Sequence, residues 1–348
     1  MTNPQAHLVD LRSDTVTRPS PEMWEAMRNA PLGDDVLGDD PTVVALEALA
    51  AQKTGMAAAV YVPSGTMSNQ IALACWCQPG DAILIEEEAH ILYYEVGASA
   101  LIAGVVSWTL PSERGTMDPA NVERHVLKRN LHTPGTTLLC LENTHNRAGG
   151  AIIPQSHMRA YREIGERHGM RVHLDGARVF NAAVAQGIPT SEITGHVDSV
   201  SICLSKGLRS PIGSVLCGPA DFIDRARIWR KRLGGGMRQA GLLAACGIVS
   251  LTQMVDRLAE DHARARRAAH ALAELPGLAV DAPETNMVLV HTDRPAEDVV
   301  AELGERGVLC FPVAPNRIRL VFHADVDDAK TDRAVEAFRA VTRERVTA

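Results

Sequence analysis

From residue 57 to residue 206 the chain alternates short, almost wholly apolar stretches with longer stretches of helical spacing. The apolar ones are Ala57–Val62, Asp81–Ile85, Gly104–Trp108, Thr136–Leu141, Val172–Leu174 and the run from Asp198 into Leu204. Strands this apolar have both faces buried, which is the condition of a parallel sheet covered by helices on each side. The pattern therefore predicts an α/β fold, with segments such as Gln155–Arg167 as crossover helices. Pro211–Gly218 reads as one more strand, antiparallel because no crossover helix fits before it.

The last third follows another pattern. Asn286–His291 reads as a strand, Pro295–Gly304 as a helix, Val308–Phe311 and Arg317–Val321 as short strands, and a closing helix starts near Ala324. This predicts a small C-terminal α+β domain, 251–348, after an N-terminal arm and large domain, 1–250. A net charge of -7 without a basic tail argues against nucleic acid as a partner. No apolar run reaches membrane-spanning length and the first residues lack a secretory pattern, so the expectation is no membrane and a cytoplasmic location. Seven scattered cysteines, mostly inside apolar runs, are expected to be reduced core residues.

Open parallel sheets bind ligands at the carboxyl ends of their strands. Lys206 follows one predicted strand and Asp175 ends its neighbour. A third strand runs through Ser64, Gly65 and Thr66 into a helix, which is the usual anion cradle of free amides and helix dipole. An amine, a carboxylate and a phosphate cradle meet the three needs of pyridoxal 5'-phosphate: a Schiff base, a protonated ring nitrogen and a phosphate grip. His90, with Tyr93 and Tyr94, stands past another strand end, placed to lie against a planar cofactor. Arg178 shares the rim with Asp175, and Arg319 lies in the small domain; both suit a bidentate grip on a substrate carboxylate. The loop Gly33–Pro41 carries four aspartates but not the alternation of a calcium loop, and no metal is expected.

Over nearly its whole length the chain resembles the low-specificity L-threonine aldolases, in the beta-eliminating-lyase-like group of pyridoxal-phosphate enzymes. The resemblance rests on Asp10–Pro19, Gly33–Pro41, Glu142–Asn146, His173–Arg178, Ser205–Leu208 and Gly234–Gln239, in that order and at similar spacing. It implies the transferase fold of the aspartate-aminotransferase type, with a mostly parallel seven-stranded sheet. It also implies cleavage of L-threonine, L-allo-threonine and related β-hydroxy-α-amino acids into glycine and an aldehyde, in a homotetramer with sites at a subunit interface. By position, Lys206 looks like the Schiff-base lysine, Asp175 the pyridinium partner and His90 the residue stacked on the ring. Ser13, Arg178 and Arg319 look like the carboxylate group, His145 a second histidine near the substrate hydroxyl, and Arg238, with Lys231, a basic group near the phosphate. The base that takes the β-hydroxyl proton is open between His90, His145 and a water held by either. Arg209 departs from the family, which usually has a small residue there. β-Elimination, racemisation or transamination would use the same lysine and acid, and a binding relative without turnover would be a different class altogether.

Overall fold

The computed structural model describes residues 8–343; residues 1–7 of the expected arm and the last five of the expected small domain lie outside them. Pro19–Val255 form one compact unit. Its centre is a seven-stranded sheet of β1 (Ala58–Val62), β2 (Ala82–Glu86), β3 (Val106–Leu110), β4 (Thr136–Glu142), β5 (Arg171–Asp175), β6 (Ser199–Cys203) and β7 (Ser214–Gly218), in the order β1-β7-β6-β5-β4-β2-β3. Only β7 runs antiparallel to its neighbours, so the carboxyl ends of the other six share one rim. Ile83, Leu84, Val172, Leu174, Val200, Ile202 and Leu216 have no exposed surface, as expected of strands covered on both faces.

Helices α1 (Pro21–Asn29), α2 (Pro41–Thr54), α3 (Gly65–Trp76), α4 (His90–Tyr93), α5 (Gln155–His168), α6 (Val179–Gln186), α7 (Ala220–Arg232) and α8 (Gly241–Val249) surround the sheet elements used below. The caps follow from the sequence: Ser20 accepts from Met23 N, Ser64 from Met67 N, and Gly55 ends α2 with φ 66. Two helix boundaries are set by groups outside the helix. The helix that starts at Pro119 stops at Arg124, because Leu127 turns to exchange hydrogen bonds with Thr136 at the start of β4. Helix α8 begins at Gly241, whose amide donates to Asp40 Oδ2 at 2.9 Å.

That carboxylate belongs to the four-aspartate loop, and all four are engaged by the protein. Asp34 accepts from Val36 N and pairs with Arg238, Asp35 pairs with Arg230 and Asp39 accepts from Asp34 N. Asp40 caps α2 through Thr42 N and Val43 N and also takes Gly33 N. The acidic cluster is thus a set of caps and ion pairs, which explains its density without a cation.

The second unit comprises residues up to Arg18 and those from Asp256. Its four-stranded antiparallel sheet runs in the order 278–280, 287–292, 317–321, 311–314, with helices at 258–273, 296–305 and 328–343. The arm belongs here and not with the large domain. Val9 and Asp10 pair in parallel with Val308 and Leu309, and Val9 and Leu11 are fully buried. Each such side chain contributes roughly 1.5–3 kcal/mol, enough to fix the arm to this core.

Between α4 and β3 the chain reverses at Glu95–Ala98, where Ala98 N donates to Glu95 O at 2.9 Å. The two central residues both have positive φ, Val96 at 54 and Gly97 at 72. A β-branched residue is strained in that region, and Val96 is 95% exposed, so it gains nothing from packing. Val96→Gly is expected to stabilise the protein by about 1 kcal/mol, measured as a higher denaturant midpoint at unchanged slope.

Candidate active site

The rim carries most of the residues singled out above. Asp175 closes β5, and Lys206 follows β6 by three residues and is half-buried. Asp175 is 4% exposed and accepts from Asn69 Nδ2 at 2.8 Å and Ala177 N at 3.1 Å. Burial alone would raise its pKa, but the charges of His90 and Lys206 and these hydrogen bonds hold it below the ordinary aspartate value. Asp175 is therefore a buried carboxylate.

His90 opens α4, its backbone N–H donating to Glu142 Oε2 at 2.7 Å and its ring Nδ1 lying 2.9 Å from Glu95 Oε1. Burial would lower its pKa; the hydrogen bond to Glu95 and the charges of Asp175 and Glu142 outweigh burial and the Lys206 charge and raise it. His90, Glu95 and Asp175 bring ligand-type atoms within 4.8 Å of one another. The space between the two carboxylates is spanned by one group, since Asn69 Nδ2 donates to Glu95 Oε1 at 2.9 Å as well as to Asp175.

Asn69 is oriented by a chain of one-way hydrogen bonds. At one end Trp76 Nε1, which can only donate, reaches Ser199 Oγ at 2.8 Å. Ser199 Oγ is 2.9 Å from His173 Nδ1, and His173 Nε2 is 3.2 Å from Asn69 Oδ1. Burial lowers the His173 pKa to about 4, so the ring is neutral; Asn69 Oδ1 can only accept, which puts the hydrogen on Nε2. Each group passes a hydrogen in the same direction, and the Asn69 amide ends up facing two carboxylates, which can only accept.

Ser64, Gly65 and Thr66 form the first turn of α3, where the opening amides have no partner within the helix. Ser64 and Thr66 are exposed, so the turn is open to a ligand. A Cβ on Gly65 would stand 2.7 Å from Cys203 Sγ at the end of β6, so only glycine lets this backbone lie so close to the sheet. Arg178 precedes α6 and is 6% exposed. An amine, a buried ionised carboxylate and an open helix start on one rim are the donor set pyridoxal phosphate needs, and these residues fit it.

His145 is 1% exposed: its Nε2 lies 2.9 Å from Glu86 and 3.9 Å from Glu142, both at strand ends, and Ala148 N faces its Nδ1 at 3.2 Å. A Cβ on Gly115 would overlap its ring, which shows how tightly it is enclosed. Arg238 pairs with Asp34, and Lys231 lines a cavity of about 700 Å³ between α2 and α7, with Glu47, Arg227 and Arg230. Ser13 and Arg319 belong to the second unit, where Ser13 Oγ accepts from Thr15 N and Arg319 is a buried strand residue. Arg209 takes φ 70, a conformation that favours the small residue usual there. Asn69, Glu95 and His173 were not anticipated as site residues; the signal was Asn69-Gln70 beside Ile71–Ala74, two amides on a helix too apolar to leave them solvated.

The His145 environment has a pH signature. Burial opposes its charge, but Glu142 and Glu86 prevail and raise its pKa to about 9. A charged ring gives up the weak Ala148 contact, a small loss beside two carboxylates. Because an unfolded histidine titrates near 6.5, folding takes up a proton between these values. The stability from this pair is complete below about pH 6.5 and lost as pH rises through about 9. Denaturation midpoints should fall over that interval more steeply in the wild type than in His145→Asn.

Residues 10–295 match the model of a family described as beta-eliminating lyase. A low specificity L-threonine aldolase of Escherichia coli K12 is 43% identical over 96% of this chain and 99% of its own. A probable low-specificity L-threonine aldolase of Arabidopsis thaliana is 42% identical over 96% and 97%. Among solved structures, the threonine aldolase of Leishmania major superposes with a TM-score of 0.83 at 21% identity, covering 98% of this chain and all of that one, which shows the shared fold. Sequence match, sheet order and rim chemistry agree, and the chain belongs to the beta-eliminating lyase family of pyridoxal-phosphate-dependent enzymes.

Proposed function

We propose that this protein cleaves L-threonine, L-allo-threonine and related β-hydroxy-α-amino acids reversibly into glycine and an aldehyde. The observation that carries the reading is the pairing of Lys206 with a buried, ionised Asp175 at adjacent strand ends, in a chain whose close relatives bear the threonine aldolase name. Lys206 would hold the aldehyde end of pyridoxal phosphate, Ser64, Gly65 and Thr66 its phosphate, and Asp175 its ring nitrogen. The cofactor supplies an electron sink conjugated to the substrate Cα.

The remaining work falls to the chain. Asp175 would keep a proton on the ring nitrogen, because its own carboxylate form is favoured by His90, Lys206 and Asn69. Arg178 would grip the substrate carboxylate and so fix which Cα bond stands perpendicular to the ring. With Nδ1 facing Glu95, His90 has Nε2 to take the β-hydroxyl proton as the Cα–Cβ bond opens. The enclosure of His145 by Glu86 and Glu142 supports His90 over it as the base. Ser13, Arg238 and Lys231 enter on the resemblance alone, as does the homotetramer; Arg319 enters on its side-chain chemistry with the resemblance, and the cytoplasmic location on the sequence pattern.

Supplied with pyridoxal phosphate and L-threonine, L-allo-threonine or L-phenylserine, the protein should release glycine and aldehyde in equal amounts. Ammonia with a keto acid would indicate elimination, a keto acid without ammonia transamination, and the D-amino acid racemisation instead. Lys206→Ala should reduce cleavage to background, and His90→Asn should slow it by about 10²–10⁴-fold with cofactor absorbance retained.

A further inference from the structure

The side chain of Glu95 is wholly buried. A buried carboxylate persists only where it is paired. Its partners are Asn69 Nδ2 at 2.9 Å, Gln70 Nε2 at 2.6 Å and His90 Nδ1 at 2.9 Å. Asn69 and Gln70 come from α3, so the carboxylate is held from the helix while it faces the imidazole.

A carboxylate accepts and cannot donate, so the histidine nitrogen it meets must carry the hydrogen. An unbound neutral imidazole prefers its hydrogen on Nε2, which would leave no lone pair at the outer atom. Glu95 imposes the opposite tautomer, with Nδ1–H inward and the Nε2 lone pair outward. The backbone points to the same purpose. Directly after Glu95, Val96 takes φ 54 and Gly97 φ 72, and the reversal sends Val96 into solvent while Glu95 faces inward. Strain of this kind persists where the surroundings require it, often beside a working site.

We infer that Glu95 is a positioning residue for the cleavage reaction: by accepting the Nδ1 hydrogen it fixes the His90 ring in one orientation and tautomer, so that Nε2 exchanges the proton of the substrate's β-hydroxyl. The inference rests on the function proposed above for its chemical meaning, but not for the Glu95–His90 contact itself. The charged groups facing His90 are Glu95, Asp175 at the end of β5, Glu142 at the end of β4 and Lys206 after β6. Of these Glu95 is the one that hydrogen-bonds the ring, so its neutral replacement should lower the His90 pKa while the others stay in place.

The test is histidine-selective ¹³C and ¹⁵N NMR on the full-length protein without added cofactor, with His90 assigned by the signal lost in His90→Asn. Wild-type His90 should show the Nδ1–H tautomer when neutral. In Glu95→Gln the ring should shift toward Nε2–H and titrate at a lower pH. With cofactor and L-threonine, Glu95→Gln should lose about 10²-fold in kcat with KM changed less than about threefold, and the acid limb of its pH profile should move down. A wild-type ring in the Nε2–H form overturns the inference even if the variant fails to fold. So does a Glu95→Gln ring with unchanged tautomer and titration. If the wild type cleaves no β-hydroxy amino acid, the functional proposal fails, and the NMR result still decides whether Glu95 sets the state of His90.

Discussion

One amide nitrogen, Asn69 Nδ2, stands between two buried carboxylates, 2.8 Å from Asp175 and 2.9 Å from Glu95. Burial would push the Asp175 carboxyl to keep its proton. It stays ionised because Asn69 and Ala177 donate to it and His90 and Lys206 bring positive charge, while Asn69 and Gln70 also donate to Glu95. The electronic property asked of Asp175 is therefore made by its neighbours. The direction of the Asn69 amide matters as much as its distance, and that direction agrees with every bond back to the Trp76 indole.

The sheet provides the positions and the helices provide the polarity. Six strands with a common direction deliver Asp175, Glu142, Glu86 and the Lys206 loop to one edge. Helix α3 contributes twice: its first turn offers free amides, and one turn further on it turns Asn69 and Gln70 into the buried network. Gly65 lets that helix start close enough to β6 for both to happen.

The sequence made the large sheet legible because doubly buried strands look alike wherever they occur, and Pro211–Gly218 disclosed its reversed direction by the want of a crossover. Lys206, Asp175 and the Ser64 turn were legible for the same reason, since each abuts a strand end. What escaped depended on partners far along the chain. Asn69 and Asp175 are 106 residues apart, Gly241 and Asp40 are 201 apart, and nothing local in either member announces the other. The arm was assigned to the wrong unit because its two buried side chains find their core at Val308 and Leu309. His145 illustrates a further limit. A motif at a strand end fixes where a side chain starts but not its partners, which here are Glu86 and Glu142.

The single carboxylate of Asp40 receives amides from Gly33, from the first turn of α2 and from Gly241, so two helices begin at one point. The stretch between Gly33 and Asp40 is consequently a measured span. One residue added or removed there would displace a helix two hundred positions downstream, so this surface loop, unlike most, should resist changes of length during divergence.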